Sequence, residues 1–190
     1  MTTKRRFTSG GMSPEWVDPA KVNGAKHIAR YQYARKFLQP RDIVLDVACG
    51  CGYGSQIMSD SCLLVHGVDR NERALGVARR DYSVTGKTTY GYVNLDTVQR
   101  LPPCDVAVSF ETIERLENPQ RFAELLQECA RRLIILSSPL QDVGSEWHKH
   151  PYFTKEQILD LFKNEKWKAV EAFRQKEGPY GIYRIERQSW

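Results

Sequence analysis

The stretch Ile43-Val44-Leu45-Asp46-Val47-Ala48-Cys49-Gly50-Cys51-Gly52-Tyr53-Gly54-Ser55 decides how the rest of the chain is read. Ile43, Val44, Leu45 and Val47 have the aliphatic character of a strand buried on both faces. Asp46 stands near the end of that strand, and glycines follow at 50, 52 and 54. Glycine accepts positive φ and has no Cβ, so such a bend brings bare backbone close to a ligand. A helix beginning near Gly54 would aim its free N–H groups at the same ligand. The spacing separates ligand classes. A dinucleotide loop, G-x-G-x-x-G, requires glycine at 50, 52 and 55, and residue 55 is Ser55. A carboxylate ahead of the loop also opposes a pyrophosphate and suits a ligand with a cationic amine.

Asp46 to Gly54 resembles motif I of the class I S-adenosylmethionine-dependent methyltransferases, whose cofactor has an amine and no phosphate. The resemblance implies an α/β fold: a Rossmann-like, seven-stranded, mostly parallel sheet with helices on both faces and an antiparallel last strand. It also implies S-adenosyl-L-methionine as cofactor, with Asp46, Ala48, Cys49, Gly50 and Gly52 among the residues that bind it. A second apolar run, Cys62 to Val68, ends in Asp69, nineteen residues beyond Gly50. That separation suits an acid at the tip of the next strand, accepting from both ribose hydroxyls. Arg70 adjoins it. Asn94-Leu95-Asp96, after a strand from Thr88 to Val93, resembles the family segment that holds the adenine amino group, so Leu95 and Asp96 are assigned there. Cys104 to Phe110 is the fourth strand, and Ser109 near its end falls beside the reacting methyl group in this fold.

Bulk properties agree with one domain. The chain has 190 residues, a net charge of +5 and five cysteines. The count is odd and no C-x-x-C occurs, so neither a disulfide framework nor a zinc knuckle is indicated. No apolar run reaches the length of a membrane span. A cytoplasmic protein without membrane attachment is expected, as monomer or homodimer. Residues 1–19 read as a flexible arm containing Lys4-Arg5-Arg6, Phe7 and Trp16. Residues 20–190 read as the methyltransferase domain, with α-β alternation throughout.

The remaining elements follow from periodicity and caps. A helix is expected from Ala20 to Leu38, with Ile28, Tyr31, Ala34 and Leu38 on one face and Pro40 ending it. Its Arg30 or Tyr31 is placed at the edge of the cofactor pocket. Asn71 caps a helix to Arg80, and Asn118-Pro119 opens another carrying Phe122, Leu125, Leu126 and Cys129. Arg132 to Pro139 is a strand. Thr154-Lys155-Glu156-Gln157 is a capping box. Lys168 to Phe173 and Gly181 to Glu186 complete the set as a hairpin-like pair.

Transfer of a methyl group to a hydroxyl or protonated amine needs a base as well as positioning. Glu111, Glu114, His148 and His150 are the candidates, all beyond the carboxyl edge of the sheet. Three-residue spacing puts Glu111 and Glu114 on one helical face. Glu111-x-x-Glu114 with a later histidine resembles methyltransferases of ubiquinone precursors and of small-RNA ribose termini, in which a Glu-x-x-Glu-His run can hold a divalent metal. Here Arg115 replaces the adjoining histidine, and a guanidinium cannot coordinate a metal, so no metal is assigned. Arg115 pairs with Glu111 or Glu114, or grips an anionic substrate. A second departure is the missing Pro-Gly-Gly turn before the fifth strand, where Ala130-Arg131-Arg132 runs straight in. The expected acceptor is the oxygen or nitrogen of a small molecule such as a sugar, nucleotide sugar or related metabolite. RNA or DNA, and a non-catalytic cofactor-binding protein, are the rival readings.

Overall fold

The computed structural model describes residues 22–176 and 178–188; the arm of residues 1–19, with Phe7 and Trp16, lies outside them. Among the described residues seven strands form one sheet: β1 (Ile43–Val47), β2 (Leu64–Asp69), β3 (Thr88–Tyr92), β4 (Cys104–Ser109), β5 (Ala130–Pro139), β6 (Trp167–Arg174) and β7 (Tyr180–Arg187). Among the described residues five α-helices accompany them: α1 (Val22–Arg35), α2 (Tyr53–Ser59), α3 (Glu72–Asp81), α4 (Pro119–Cys129) and α5 (Lys155–Leu161). The strand order is β3-β2-β1-β4-β5-β7-β6. β1 to β5 pair in parallel, while β7 runs antiparallel to both β5 and β6. This is the mixed sheet the resemblance implies, with the reversed strand inserted beside β5.

Apolar residues alternate across the central strands and build one core on each face. Val44, Val65, Val106 and Ile135 meet Tyr31, Ala34 and Met58 on one side. Leu45, Ala107 and Ile134 meet Phe122, Leu125 and Leu126 on the other. Helix starts are capped as their residue types dictate. Asn71 accepts from the N–H groups of Arg73 and Ala74, Asn118 from that of Arg121, and Thr154 and Gln157 form a reciprocal box. α1 stops at Arg35, short of the expected Leu38, and residues 36–38 close a turn ahead of Pro40. α4 passes into β5 with no residue between Cys129 and Ala130, so the shortened turn takes the form of a direct junction.

Chain order reverses between β1 and β4, which lie side by side although β2 and β3 come between them in sequence. The crevice beyond their carboxyl ends is where open α/β sheets take ligands. The bend after β1 enters that crevice through three successive alternate residues at positive φ: Ala48 (62°), Gly50 (54°) and Gly52 (82°). The left-handed series therefore begins one step earlier than the glycines, at an alanine. Gly54 lies within α2 and serves packing instead: a Cβ there would fall 2.1 Å from the ring of Tyr31. Gly54→Ala is expected to lower stability by about 1–3 kcal/mol, the range for overpacking a filled core. Urea unfolding that leaves the midpoint in place would contradict this contact.

Candidate active site

One cavity, with about 830 Å³ of empty space partly open to solvent, fills the crevice. Its first end is made by the bend and the tips of β2 and β3. Ala48, Cys49, Gly50, Asp69, Arg70, Val93, Leu95 and Asp96 line it. Asp69 is held from two sides: the N–H of Gly50 donates to Oδ2 at 2.9 Å and that of Asn71 to Oδ1 at 2.8 Å. The second acid thus braces the bend while its carboxylate edges the cavity. Arg70 reaches Asp96 at 3.4 Å across the mouth.

Three assigned residues stand behind the wall rather than in it. Asp46 is fully buried, and its carboxylate accepts from Ser55 Oγ at 2.6 Å and from Tyr31 Oη at 3.3 Å. Burial raises its carboxyl to about 7, against the pull of those two hydroxyls. Gly52 is packed on Ala78 and Tyr90, which leave no room for a Cβ. Ser109 donates to the carbonyl of Val47 at 2.9 Å, tying β4 to β1. These three shape the bend and do not line the cavity.

The second end lies beyond β4. His27 and Tyr31 from α1, Tyr53 from α2, and Phe110, Glu111, Thr112 and Arg115 from the β4–α4 segment line it. Tyr31 stands edge-on to Phe110 and to Tyr53, with centroids 4.9 and 5.5 Å apart. Glu111 is held at φ 53°, a left-handed conformation costly for a residue with a Cβ. Several ties fix it there. Its N–H donates to Ser137 Oγ at 3.0 Å, and its carboxylate is paired with the fully buried guanidinium of Arg30. Arg30 is itself bound to Gln175 at 2.8 Å and stacked over Tyr180 at 4.4 Å. His27 Nε2 lies 3.6 Å from Glu111, and Arg115 lies 3.7 Å from it. Burial raises the Glu111 carboxyl, but the charges of Arg30, His27 and Arg115 outweigh it and hold the group below its ordinary value.

The four candidate bases do not converge. Only Glu111 lines the cavity. Glu114 belongs to a single 3-10 turn, Ile113–Arg115, which Glu111 precedes, so the two carboxyls do not share a helical face. Glu114 is completely enclosed, and neither carboxyl oxygen has a hydrogen-bond partner. Desolvation raises it to about 8, so the neutral form prevails at pH 7. His148 packs beside it, with Nε2 at 3.8 Å and only 3% of its side chain exposed. Burial, then Arg115, lowers the His148 imidazole below its usual value. His150 lies against Phe153, and its backbone N–H donates to the Glu114 carbonyl. Among the described residues no group of three or more His, Cys, Asp or Glu could hold a metal ion.

Sequence reading missed the partnership of Arg30 with Glu111, which joins residues 81 apart. It also missed Tyr53, Phe110 and Thr112 as wall residues; their position right after motif I and the fourth strand was the available signal.

Comparison with known proteins agrees with this fold. Residues 44–134 match a family model described as a methyltransferase domain. Two probable S-adenosylmethionine-dependent methyltransferases of Mycobacterium tuberculosis are 30% identical over 145 residues, covering 71% of this chain and 50% of theirs. The chain thus spans about half the length of those relatives. The fold matches magnesium protoporphyrin IX methyltransferase from Synechocystis with bound S-adenosylhomocysteine at TM-score 0.74 and 15% identity, covering 87% of this chain and 85% of that one. It matches the N-methyltransferase NodS of Bradyrhizobium japonicum, also with S-adenosylhomocysteine, at TM-score 0.72 and 14% identity, over 90% of each chain.

The enclosed Glu114 makes stability depend on pH. Its folded-state value of about 8 exceeds the ordinary 4.5, so the native state keeps a proton that the unfolded chain loses. The native state is favoured fully below the lower value and loses ground as pH rises through this window. The slope is at most about 1.4 kcal/mol per pH unit. Asp46 adds a fall of the same sign. Glu114→Gln is expected to flatten the decline between pH 5 and pH 8 in urea unfolding; equal declines in the two proteins would show that Glu114 is ionised.

Proposed function

The chain carries a class I, S-adenosylmethionine-dependent methyltransferase domain, and from that premise we propose that it is an enzyme methylating an oxygen or nitrogen of a small molecule. The observation that carries this reading is the single cavity running from the left-handed bend and Asp69 to the charged wall beyond β4. Its first end fits the cofactor's nucleoside. Backbone without side-chain obstruction at Gly50, and carboxylates at Asp69 and Asp96, suit ribose hydroxyls and an adenine amine. Val93 and Leu95 offer apolar faces to the base. Ala48, Cys49 and Arg70 complete that end.

When bound, S-adenosylmethionine supplies an electrophilic methyl group on a sulfonium centre. The protein's part is then largely placement, since in-line displacement is governed by the approach of the acceptor. Tyr31, Tyr53 and Phe110 form an apolar wall that excludes water. Glu111 and Arg115 present charge to the acceptor. Glu114 stands behind Arg115 with His148 beside it, and His150 packs on Phe153. No metal is assigned a part. A small acceptor suits a cavity bounded closely by these side chains, and a cytoplasmic setting suits five buried thiols with no disulfide among them. No described helix is long and apolar enough to cross a membrane.

Asp69→Ala is expected to weaken S-adenosylmethionine binding by about 1–3 kcal/mol, as for loss of a buried hydrogen-bonding group. Calorimetry showing equal affinity would remove Asp69 from the cofactor site. Screening sugars, nucleotide sugars and RNA for uptake of labelled methyl tests the acceptor class; uptake by RNA alone would overturn the small-molecule reading.

A further inference from the structure

The acceptor end of the cavity holds more cation than anion. Arg30 and Glu111 are paired. Arg115 lines the same end with 20% of its side chain exposed, and among the described residues its guanidinium makes two long ion pairs and no hydrogen bond. Glu111 lies 3.7 Å away and Glu114 3.9 Å away, and the buried Nε is unpartnered. Glu114 balances it weakly, because its enclosed carboxyl makes no hydrogen bond through either oxygen and desolvation favours its neutral form. One carboxylate therefore faces two guanidinia. A planar fork of unused N–H donors is a receptor for a two-oxygen anion.

The same end lacks a free base among its described residues. Glu111 is occupied by Arg30. His27 is engaged on both sides, with Nδ1 3.4 Å from the Arg30 guanidinium and Nε2 3.6 Å from Glu111. Tyr31 and Tyr53 keep their protons, since burial raises both phenols. An acceptor that must shed a proton during transfer is poorly served, whereas one already ionised needs no base.

We infer that the acceptor is a small carboxylic acid, held through its carboxylate by Arg115 and methylated on a carboxylate oxygen. This rests on the methyltransferase reading above and narrows it. The oxygen forms a bond to the methyl carbon as the carbon–sulfur bond breaks, with its electron pair remaining on sulfur. No proton moves, and the products are a methyl ester and a thioether. The negative charge of the acid and the positive charge of the sulfonium cancel in the step.

The test uses the full chain loaded with S-adenosylhomocysteine. Calorimetry is expected to show benzoate binding and benzamide not binding, with Arg115→Met weakening benzoate about ten- to hundredfold, the range for a lost charge-assisted hydrogen bond. Arg115→Lys, which keeps the charge but not the fork, should recover part of the loss, and thermal melting checks that both variants fold. Benzoate and benzamide behaving alike, or Arg115→Met leaving benzoate affinity intact, overturns the proposal. In turnover with methyl-labelled cofactor, acids paired with their own amides should show label on the acids alone, released as methanol by mild alkali. Alkali-stable label, or label on the amides, overturns it as well. Failure to bind S-adenosylhomocysteine at all would instead refute the methyltransferase reading on which this one stands.

Discussion

Asp46 is the residue on which the architecture of the site turns. Its carboxylate is sealed from water and held by Ser55 at the start of α2 and by Tyr31 of α1. A single side chain on β1 thereby ties the strand to the two helices that flank the crevice. Burying a carboxylate is costly unless its oxygens are satisfied, and here satisfaction requires both helices in place. The bend between β1 and α2 is thus stretched between two fixed points. Asp69 completes the frame by accepting from the Gly50 N–H in the middle of the bend.

This frame explains how an alanine comes to occupy a left-handed position. Ala48 at φ 62° gives up conformational energy that glycine would not. The strand before it and the braced Gly50 after it leave no other path. Glu111 repeats the situation at the end of β4, held by Ser137 and Arg30. Strained backbone stands at both inner edges of the cavity, where the surrounding contacts over-determine it.

Much of this was readable in the chain. The seven-stranded, mostly parallel sheet, the reversed β7 and the cavity location follow from the likeness at Asp46 to Gly54 and from the alternation after it. Asp69 was assigned from its spacing, and Asp96 and Glu111 from family likeness; all three line the cavity, because residues at or just past strand ends converge on one edge. What escaped was side-chain direction. Asp46 and Ser109 read as ligand-facing, but strand residues alternate faces and theirs point into structure. The fate of Glu114 was also hidden. One left-handed residue at Glu111 breaks the helical register on which the shared face depended, and Glu114 turns inward. The pairing of Arg30 with Glu111 depends on how α1 crosses the sheet, which no local pattern records.

The direct junction of α4 and β5 gives the molecule two unequal ends. At the base of the sheet, Cys129 and Ala130 are joined without slack, and Ala130 already pairs with Cys104. An inserted residue there must unwind the last helical turn or break the first strand pair. At the opposite rim, residues 140–154 connect β5 to α5 with ample length. At this junction the chain has no room to grow, whereas the rim loop does. The floor of the fold acts as a fixed foundation, and any remodelling toward a new acceptor must be built upward from the edge where the chemistry occurs.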